Sequence, residues 1–386
     1  MIKKALSFLA AAAMLCLPVP AAHDGAAAVK TVRDVQGMQV GAKACIVMEV
    51  QTGRVLFAQN EHERLPMAST TKIMTALITL EQPDLDAVFE VDANAIRVEG
   101  SSMGLRDGDK VSLRALAAGM LLPSGNDAAN AAAIRISGSI PDFIGKMNQK
   151  AEELGMRDTS FETPSGLDGE NHYSTAFDMA ILTRAALQND HFVSICSQYR
   201  MRASFGNPPA PRWMLNHNKL LNYYEGAFGV KTGFTKKSGR CLVSAAQKNE
   251  VELICVTLNC PDDWATHQYL YDRLFPELQR VNLLDTMPDM TINIIGGRQN
   301  QVSALPFEEA SIAMPVHGSK LKYELISSPF LYAPVARGQH VGEVRIFIDD
   351  NKVFTLSLMA GEDVKLLHEA KEEKPWWKHI SALFFD

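Results

Sequence analysis

The spacing of apolar residues changes once along this chain, near Leu278, and that change limits what it can fold into. Before it, apolar residues recur at helical intervals, as at Ile73, Leu77 and Leu80, and helical stretches alternate with strand-like ones. After it, only short strand-like runs remain: Met290 to Ile295, Ser311 to Val316, Lys322 to Ile326, Val341 to Ile348 and Lys352 to Leu358. Gly296-Gly297, Gly318 and Asp349-Asp350-Asn351 punctuate them. With 386 residues the chain is too long for one ordinary domain. A mixed α/β domain over 29–277 and a small all-β sandwich over 278–368 are predicted.

Within the first domain, Ala42 to Val50 and Val55 to Phe57 read as strands joined by Gln51-Thr52-Gly53-Arg54. A helix is predicted from Ser69 to about Leu80. Leu113 to Leu122 is a second, broken by Pro123-Ser124-Gly125, and Asp127 to Ile136 resumes as an alanine-rich helix. Ile144 to Leu154 and Met179 to Leu187 also carry helical patterns. Gly206-Asn207-Pro208-Pro209-Ala210-Pro211 reads as a loop. Strand-like runs at Cys241 to Ala246 and Leu253 to Leu258 follow Gly229.

The first residues have the layout of a secretory signal peptide, placed here at 1–28. Lys3 and Lys4 precede an apolar run from Ala5 to Leu17, Pro18 and Pro20 break it, and Ala21, Ala22 and Ala28 offer cleavage sites. The run falls short of the roughly 20 residues that a spanning helix needs. Export is therefore expected. Cys45, Cys196, Cys241, Cys255 and Cys260 remain, an odd number that cannot all pair, and no Cys or His spacing fits a metal site. The formal charge of −6 argues against a nucleic-acid partner. Neither a metal nor a cofactor is predicted.

Three short motifs carry the chemistry. Ser69-Thr70-Thr71-Lys72 puts a hydroxyl and an amine one helical turn apart on one face. A serine hydroxyl is a weak nucleophile and needs a base within hydrogen-bond reach. Alone the pattern means little, since Ser319-Lys320-Leu321-Lys322 matches it too and reads as a surface turn. Ser124-Gly125-Asn126 and Lys231-Thr232-Gly233 are the second and third motifs. All three in this order arise by chance in roughly one chain in a thousand at average residue usage. For Lys72 to serve as base, its pKa must fall from about 10.4 by roughly three units, a differential of about 4 kcal/mol. Burial and the nearby charge of Lys231 both push that way.

The triplet is the one shared by class A β-lactamases and penicillin-binding proteins. The chain most resembles the low-molecular-mass penicillin-binding proteins, the D-alanyl-D-alanine carboxypeptidases of peptidase family S11. Pro66-Met67-Ala68-Ser69-Thr70-Thr71-Lys72, Glu99-Gly100-Ser101-Ser102-Met103, Leu122-Pro123-Ser124-Gly125-Asn126-Asp127-Ala128 and Pro164-Ser165-Gly166-Leu167-Asp168 carry the likeness. So do His172-Tyr173-Ser174-Thr175-Ala176 and Gly229-Val230-Lys231-Thr232-Gly233-Phe234-Thr235. The resemblance implies a serine β-lactamase/transpeptidase-like α/β domain, an antiparallel sheet flanked by helices plus a helical subdomain. It implies removal of the terminal D-alanine from peptidoglycan stem peptides through an acyl-enzyme on Ser69, and acylation by β-lactam antibiotics. By the same token Lys72 takes the proton of Ser69, Ser124 relays protons to the leaving amine, and Asn126 orients Lys72 and the substrate amide. Lys231 supplies positive potential. Thr232, Gly233, Phe234 and Thr235 line the substrate strand, with the N–H groups of Ser69 and Phe234 as oxyanion hole.

One departure stands out. Many relatives carry an arginine that meets the substrate carboxylate, but Pro261-Asp262-Asp263-Trp264-Ala265-Thr266-His267 holds none. His267 and Arg273 are the nearest substitutes, although both also read as helix-surface residues. Two rival functions share the motifs: a β-lactamase, for which Glu162 or Glu170 would have to activate a water, and an inactive wall-binding scaffold. Finally, Trp376, Ile380, Leu383 and Phe384 share one helical face, with Lys374, Lys378 and His379 towards the other. An amphipathic helix over 369–386, lying flat on the outer face of the cell membrane, is predicted.

Overall fold

The computed structural model describes residues 37–308 and 310–368. The predicted signal peptide and the predicted terminal helix lie outside the described residues. Strands β1 (Ala44–Glu49) and β2 (Val55–Gln59) lead through a 3-10 turn, Ala68–Thr71, into helix α1 (Lys72–Leu80). Strands β3 (Val88–Glu90) and β4 (Lys110–Ser112) precede helices α2 (Leu113–Leu121), α3 (Asn126–Ser137) and α4 (Ile140–Leu154). Helices α5 (Ala176–Ala186) and α6 (Asp190–Cys196), strands β5 (Arg200–Gly206) and β6 (Pro209–Leu215), and the one-turn helix α7 (Leu220–Tyr223) follow. Strands β7 (Ala227–Thr235), β8 (Gly239–Lys248) and β9 (Val251–Leu258), then helix α8 (Asp263–Leu274), complete the first part.

The main sheet is antiparallel throughout, in the order β2-β1-β9-β8-β7. Its inner strands β1, β9 and β8 are buried on both faces, so they are largely apolar runs without alternation; all six residues of β1 are buried. Helix α1 is buried at every position. A helix that is apolar all round belongs in a core, and α1 packs against α2, α3 and α5. Lys72 therefore enters a dry interior. The helices behave as an α subdomain beside the sheet, which matches the expected α/β class.

Local chemistry sets the helix ends. Ser112, Ser139, Thr175 and Asn189 each cap a helix by accepting a backbone N–H with the side chain. The Ser139 cap and Pro141 in the first turn start α4 at Ile140, four residues before the apolar pattern announces it. The predicted loop at 206–211 is instead the tip of a hairpin: β5 runs through Gly206 and β6 begins at Pro209. Proline is tolerated because β6 is the edge of the sheet β3-β4-β5-β6.

The second part contains β10 (Leu278–Asn282), a one-turn helix α9 (Leu283–Thr286), and strands β11 (Thr291–Ile295), β12 (Gln301–Pro306) and β13 (Ser311–Pro315). Strands β14 (Leu321–Ile326), β15 (Phe330–Tyr332), β16 (His340–Ile348) and β17 (Asn351–Ala360) complete it. A six-stranded sheet, β14-β16-β17-β12-β11-β15, and the pair β10-β13 enclose a core of Ile292, Ile294, Val344, Ile346, Leu356 and Leu358. Inward residues alternate along β11 and β16, the period-2 signature that the sequence shows. Ser319 and Lys320 lie in the turn before β14, where Ser319 donates to Asp349. The two parts share a cluster in which Leu278 and Ala313 meet Leu270, Tyr271 and Leu274. An Arg54–Asp349 ion pair at 3.5 Å adds a polar contact. The five cysteines of the described residues are free and buried.

Candidate active site

The first two motifs converge on one amine. Lys72 Nζ lies 2.9 Å from Ser69 Oγ, within hydrogen-bond reach, and donates to Asn126 Oδ1 at 2.7 Å and to the Ser165 carbonyl at 2.5 Å. Its side chain is fully buried at the start of α1. Burial holds its pKa well below the usual lysine value, and the charge of Lys231 pushes the same way, while Asp127 opposes them. Lys231 is itself buried in β7, donates to the Thr232 carbonyl at 2.9 Å, and is lowered to about 7 by burial.

Each partner is fixed in turn. Asn126 donates its Nδ2 to the Glu99 carbonyl at 2.6 Å, which forces its oxygen towards Lys72. Its backbone N–H bonds Ser101 at 2.7 Å. The next residue, Asp127, is buried and accepts from Ser102 Oγ, Met103 N, Gly104 N and Leu105 N at 2.6 to 3.0 Å. This pins the 101–105 loop against α3. Ser124 sits at φ +63, where the chain breaks between α2 and α3. His172 accepts from Glu162 N at Nδ1, so Nε2–H donates to Thr71 Oγ1 at 2.8 Å. Burial lowers this ring to about 4, so it stays neutral.

Ser69 lies in the 3-10 turn, with α1 proper beginning at Lys72. Strand β7 runs directly against that turn. A Cβ on Gly233 would stand 3.0 Å from the Met67 carbonyl and 3.1 Å from Ser69 N. Glycine is what allows the strand this near the nucleophile. A cleft of about 320 Å³ opens there, lined by Ser69, Ser101, Ser124, Thr232, Gly233 and Phe234 from the motif segments. Phe234 is 66% exposed and forms one lip. Thr235 does not line the cleft: its hydroxyl bonds Asp168 and Ser238.

The cleft also holds residues that sequence reasoning missed: His217, Lys219, Arg240, Asp263 and Trp264. Arg240 lies opposite Phe234 in the β7–β8 register. Its Nε and Nη2 donate to Asp263 Oδ1 at 3.1 and 2.8 Å, and its guanidinium lies 5.7 Å from the Trp264 ring. The register of the β7–β8 hairpin was the available signal, since it returns the chain past Phe234. Of the two substitutes considered, His267 is fully buried, bonded to Ser244 and Thr257 and lowered to about 3. Arg273 is exposed near the end of α8, over Tyr269. Neither lines the cleft. Glu162 bonds Asn171 at 3.0 Å, and neither it nor Glu170 lines the cleft.

The chain is similar to known proteins along most of its length. The profile of the D-alanyl-D-alanine carboxypeptidase family matches residues 29–262, and that of the penicillin-binding protein 5 C-terminal domain matches residues 285–366. The chain is 32% identical to D-alanyl-D-alanine carboxypeptidase DacF of Bacillus subtilis over 346 residues, covering 84% of this chain and 86% of that protein. Its fold is similar to the crystal structure of penicillin-binding protein 5 from Haemophilus influenzae, with a TM-score of 0.67, 28% identity, and coverage of 85% and 98% of the two chains. It is also similar to the D-alanyl-D-alanine carboxypeptidase DacD of Francisella tularensis, with a TM-score of 0.61, 26% identity, and coverage of 89% and 97%.

Proposed function

Because the chain belongs to the D-alanyl-D-alanine carboxypeptidase family of serine peptidases, we propose that its reaction runs through the Ser69–Lys72 pair. The protein is a serine-type carboxypeptidase that removes the terminal D-alanine from peptidoglycan stem peptides, and β-lactams acylate such enzymes. The supporting observation is the Lys72 amine, dry and 2.9 Å from the hydroxyl. Ser69 Oγ attacks the carbonyl of the penultimate D-alanine as Lys72 Nζ takes its proton. The N–H groups of Ser69 and Phe234 hold the oxyanion. The C–N bond then breaks, and Ser124 passes a proton to the leaving amine. Water attacks the ester and releases the shortened peptide. Asn126 keeps Lys72 aimed throughout, and Lys231 disfavours its protonation.

For the terminal carboxylate we assign Thr232 together with Arg240. Arg240 is a cleft-lining cation, steadied by Asp263 and Trp264. Carboxylate recognition then comes from the strand after the Lys-Thr-Gly strand, one strand earlier than in relatives with a later arginine. Incubating a synthetic pentapeptide ending in D-Ala-D-Ala with the protein and with Ser69→Ala tests the core of this. Mass spectrometry should find loss of one alanine with the first alone; loss with both would reject Ser69.

The enzyme works outside the cytoplasm, where its substrate lies. The finer organisation is our reading: signal peptide 1–28, catalytic domain 29–277, β domain 278–368, and a membrane-surface helix over 369–386 at the outer face. Among the described residues, no helix is long and apolar enough to cross a membrane. The amphipathic pattern of the tail supports surface attachment. Deleting Trp376 to Asp386 should release the protein from membranes and leave turnover of soluble peptide unchanged.

A further inference from the structure

The β5–β6 hairpin carries a face that the chemistry above does not use. In its register Arg200, Arg202 and Ser204 stand opposite Leu215, Trp213 and Pro211, and these six point away from the core. Arg202 faces Trp213 directly and Arg200 lies diagonal to it. Their guanidinium carbons sit 5.1 Å (Arg200) and 5.6 Å (Arg202) from the Trp213 ring centroid. The indole nonetheless stays 60% exposed, with Leu215 beside it at 54%. The chain is formally −6, yet no Asp or Glu occurs between Asp190 and Glu225, where Arg200, Arg202, Arg212 and Lys219 all fall.

The face is coupled to the cleft. On the inner side of the hairpin Arg212 covers Phe205 at 4.4 Å and donates to the Gly104 carbonyl at 3.4 Å, within the loop that Asp127 pins. His217 and Lys219, just beyond β6, line the cleft itself. Trp213 precedes His217 by four residues, so at most about 14 Å of extended chain separates the indole from the site.

We propose that Arg200, Arg202 and Trp213 form a docking platform for the glycan strand that bears the stem peptides. This rests on the carboxypeptidase reading, because the ligand is the carrier of the enzyme's own substrate. The chemistry matches on two counts. A sugar ring offers a flat C–H face that packs on an open indole. The free carboxylates of neighbouring stems pair with guanidinium groups, which are already arrayed by the indole and oppose the sign of the rest of the molecule. Each stem is covalently tied to its strand, so holding the strand beside the cleft raises the local concentration of scissile ends.

The test uses the full chain with Arg200→Gln, Arg202→Gln and Trp213→Ala together. Alanine release is measured from a free pentapeptide and from insoluble peptidoglycan sacculi with pentapeptide stems. Release from sacculi should fall about tenfold, the loss expected when an aromatic anchor and two cations go, with free-peptide turnover within about twofold. In the Ser69→Ala background, which cannot consume the stems, co-sedimentation with sacculi should weaken on making the triple change. With the hairpin intact it should weaken as salt rises from about 50 to about 300 mM. Equal loss on both substrates, unchanged release from sacculi, or binding to anionic phospholipid vesicles instead of sacculi would each overturn the proposal. If the carboxypeptidase reading itself were wrong, the unaltered protein would release no alanine from free peptide, while the co-sedimentation result would still stand.

Discussion

Replacing Arg240 by Gln separates carboxylate recognition from catalysis, because the residue lines the cleft without touching Lys72. A hydrogen bond to a charged group contributes about 1.5–3 kcal/mol. The Arg240 side chain is 41% exposed, so screening favours the lower part of that range. Taking about 2 kcal/mol, kcat/KM for a substrate ending in a free carboxylate should drop about 30-fold. The same change strips Asp263, a 3% exposed carboxylate, of two N–H contacts at 3.1 and 2.8 Å. Asp263 keeps the Trp264 N–H, so the stability cost should be about 1–3 kcal/mol, below that of a fully buried pair. The stability loss is removed from the comparison by Arg240→Gln with Asp263→Asn, which can rebuild a neutral hydrogen bond. The decisive assay is a ratio: kcat/KM for peptides ending in D-Ala-D-Ala against their C-terminal amides. Both single and double variants should lower that ratio about 30-fold, with amide turnover nearly unchanged. An unaltered ratio, or equal loss on acid and amide, would refute the role given to Arg240.

Three further outcomes follow from the site. Lys231→Ala removes a positive neighbour of Lys72, so the acidic limb of the acylation rate should move to higher pH; stopped-flow β-lactam acylation across pH measures it, and a limb that stays or moves down contradicts the electrostatics. His267 and His172 are held near 3 and near 4 by burial against about 6.5 when free, so the unfolded chain takes up those protons first. Their contribution is complete above about pH 6.5 and is lost as pH falls, by about 3 kcal/mol each near pH 4; urea unfolding at pH 7 and pH 4.5 should show the drop, and a flat profile would exclude it. Gly233→Ala places a methyl 3.0 Å from the Met67 carbonyl and 3.1 Å from Ser69 N, so acylation should fall about a hundredfold while unfolding stability drops only about 1–3 kcal/mol.

Some of this was legible in the sequence because it depends on local spacing. Ser69 and Lys72 share a face through helical geometry alone, and the stripe of Ile73, Leu77 and Leu80 announces the helix, although its burial at every position exceeds what a stripe implies. The alternation in β11 and β16 likewise needs only period 2. Other parts depend on pairings across long stretches of chain. The Ser165 carbonyl on Lys72 spans 93 residues, and its residue type says nothing, because the acceptor is backbone. Arg240 reaches the cleft through cross-strand register, which a search forward to Pro261–His267 passes over. His267, by contrast, looked like a helix-surface residue because its partners, Ser244 and Thr257, lie on strands. The tip at Gly206–Pro211 shows a loop signal overridden by an edge position that tolerates proline.

Strand β1 pairs with β9, so the first strand described and the last strand of the main sheet are neighbours. A polypeptide delivered across a membrane from its N-terminus presents the Ser69 turn early and receives β7, β8 and β9 late. The sheet that carries β7 to the Ser69 turn is complete only once β9, which ends at Leu258, has joined β1. Completion of the site is thereby tied to a pairing that spans almost the whole first domain, and pairings of such separation form late.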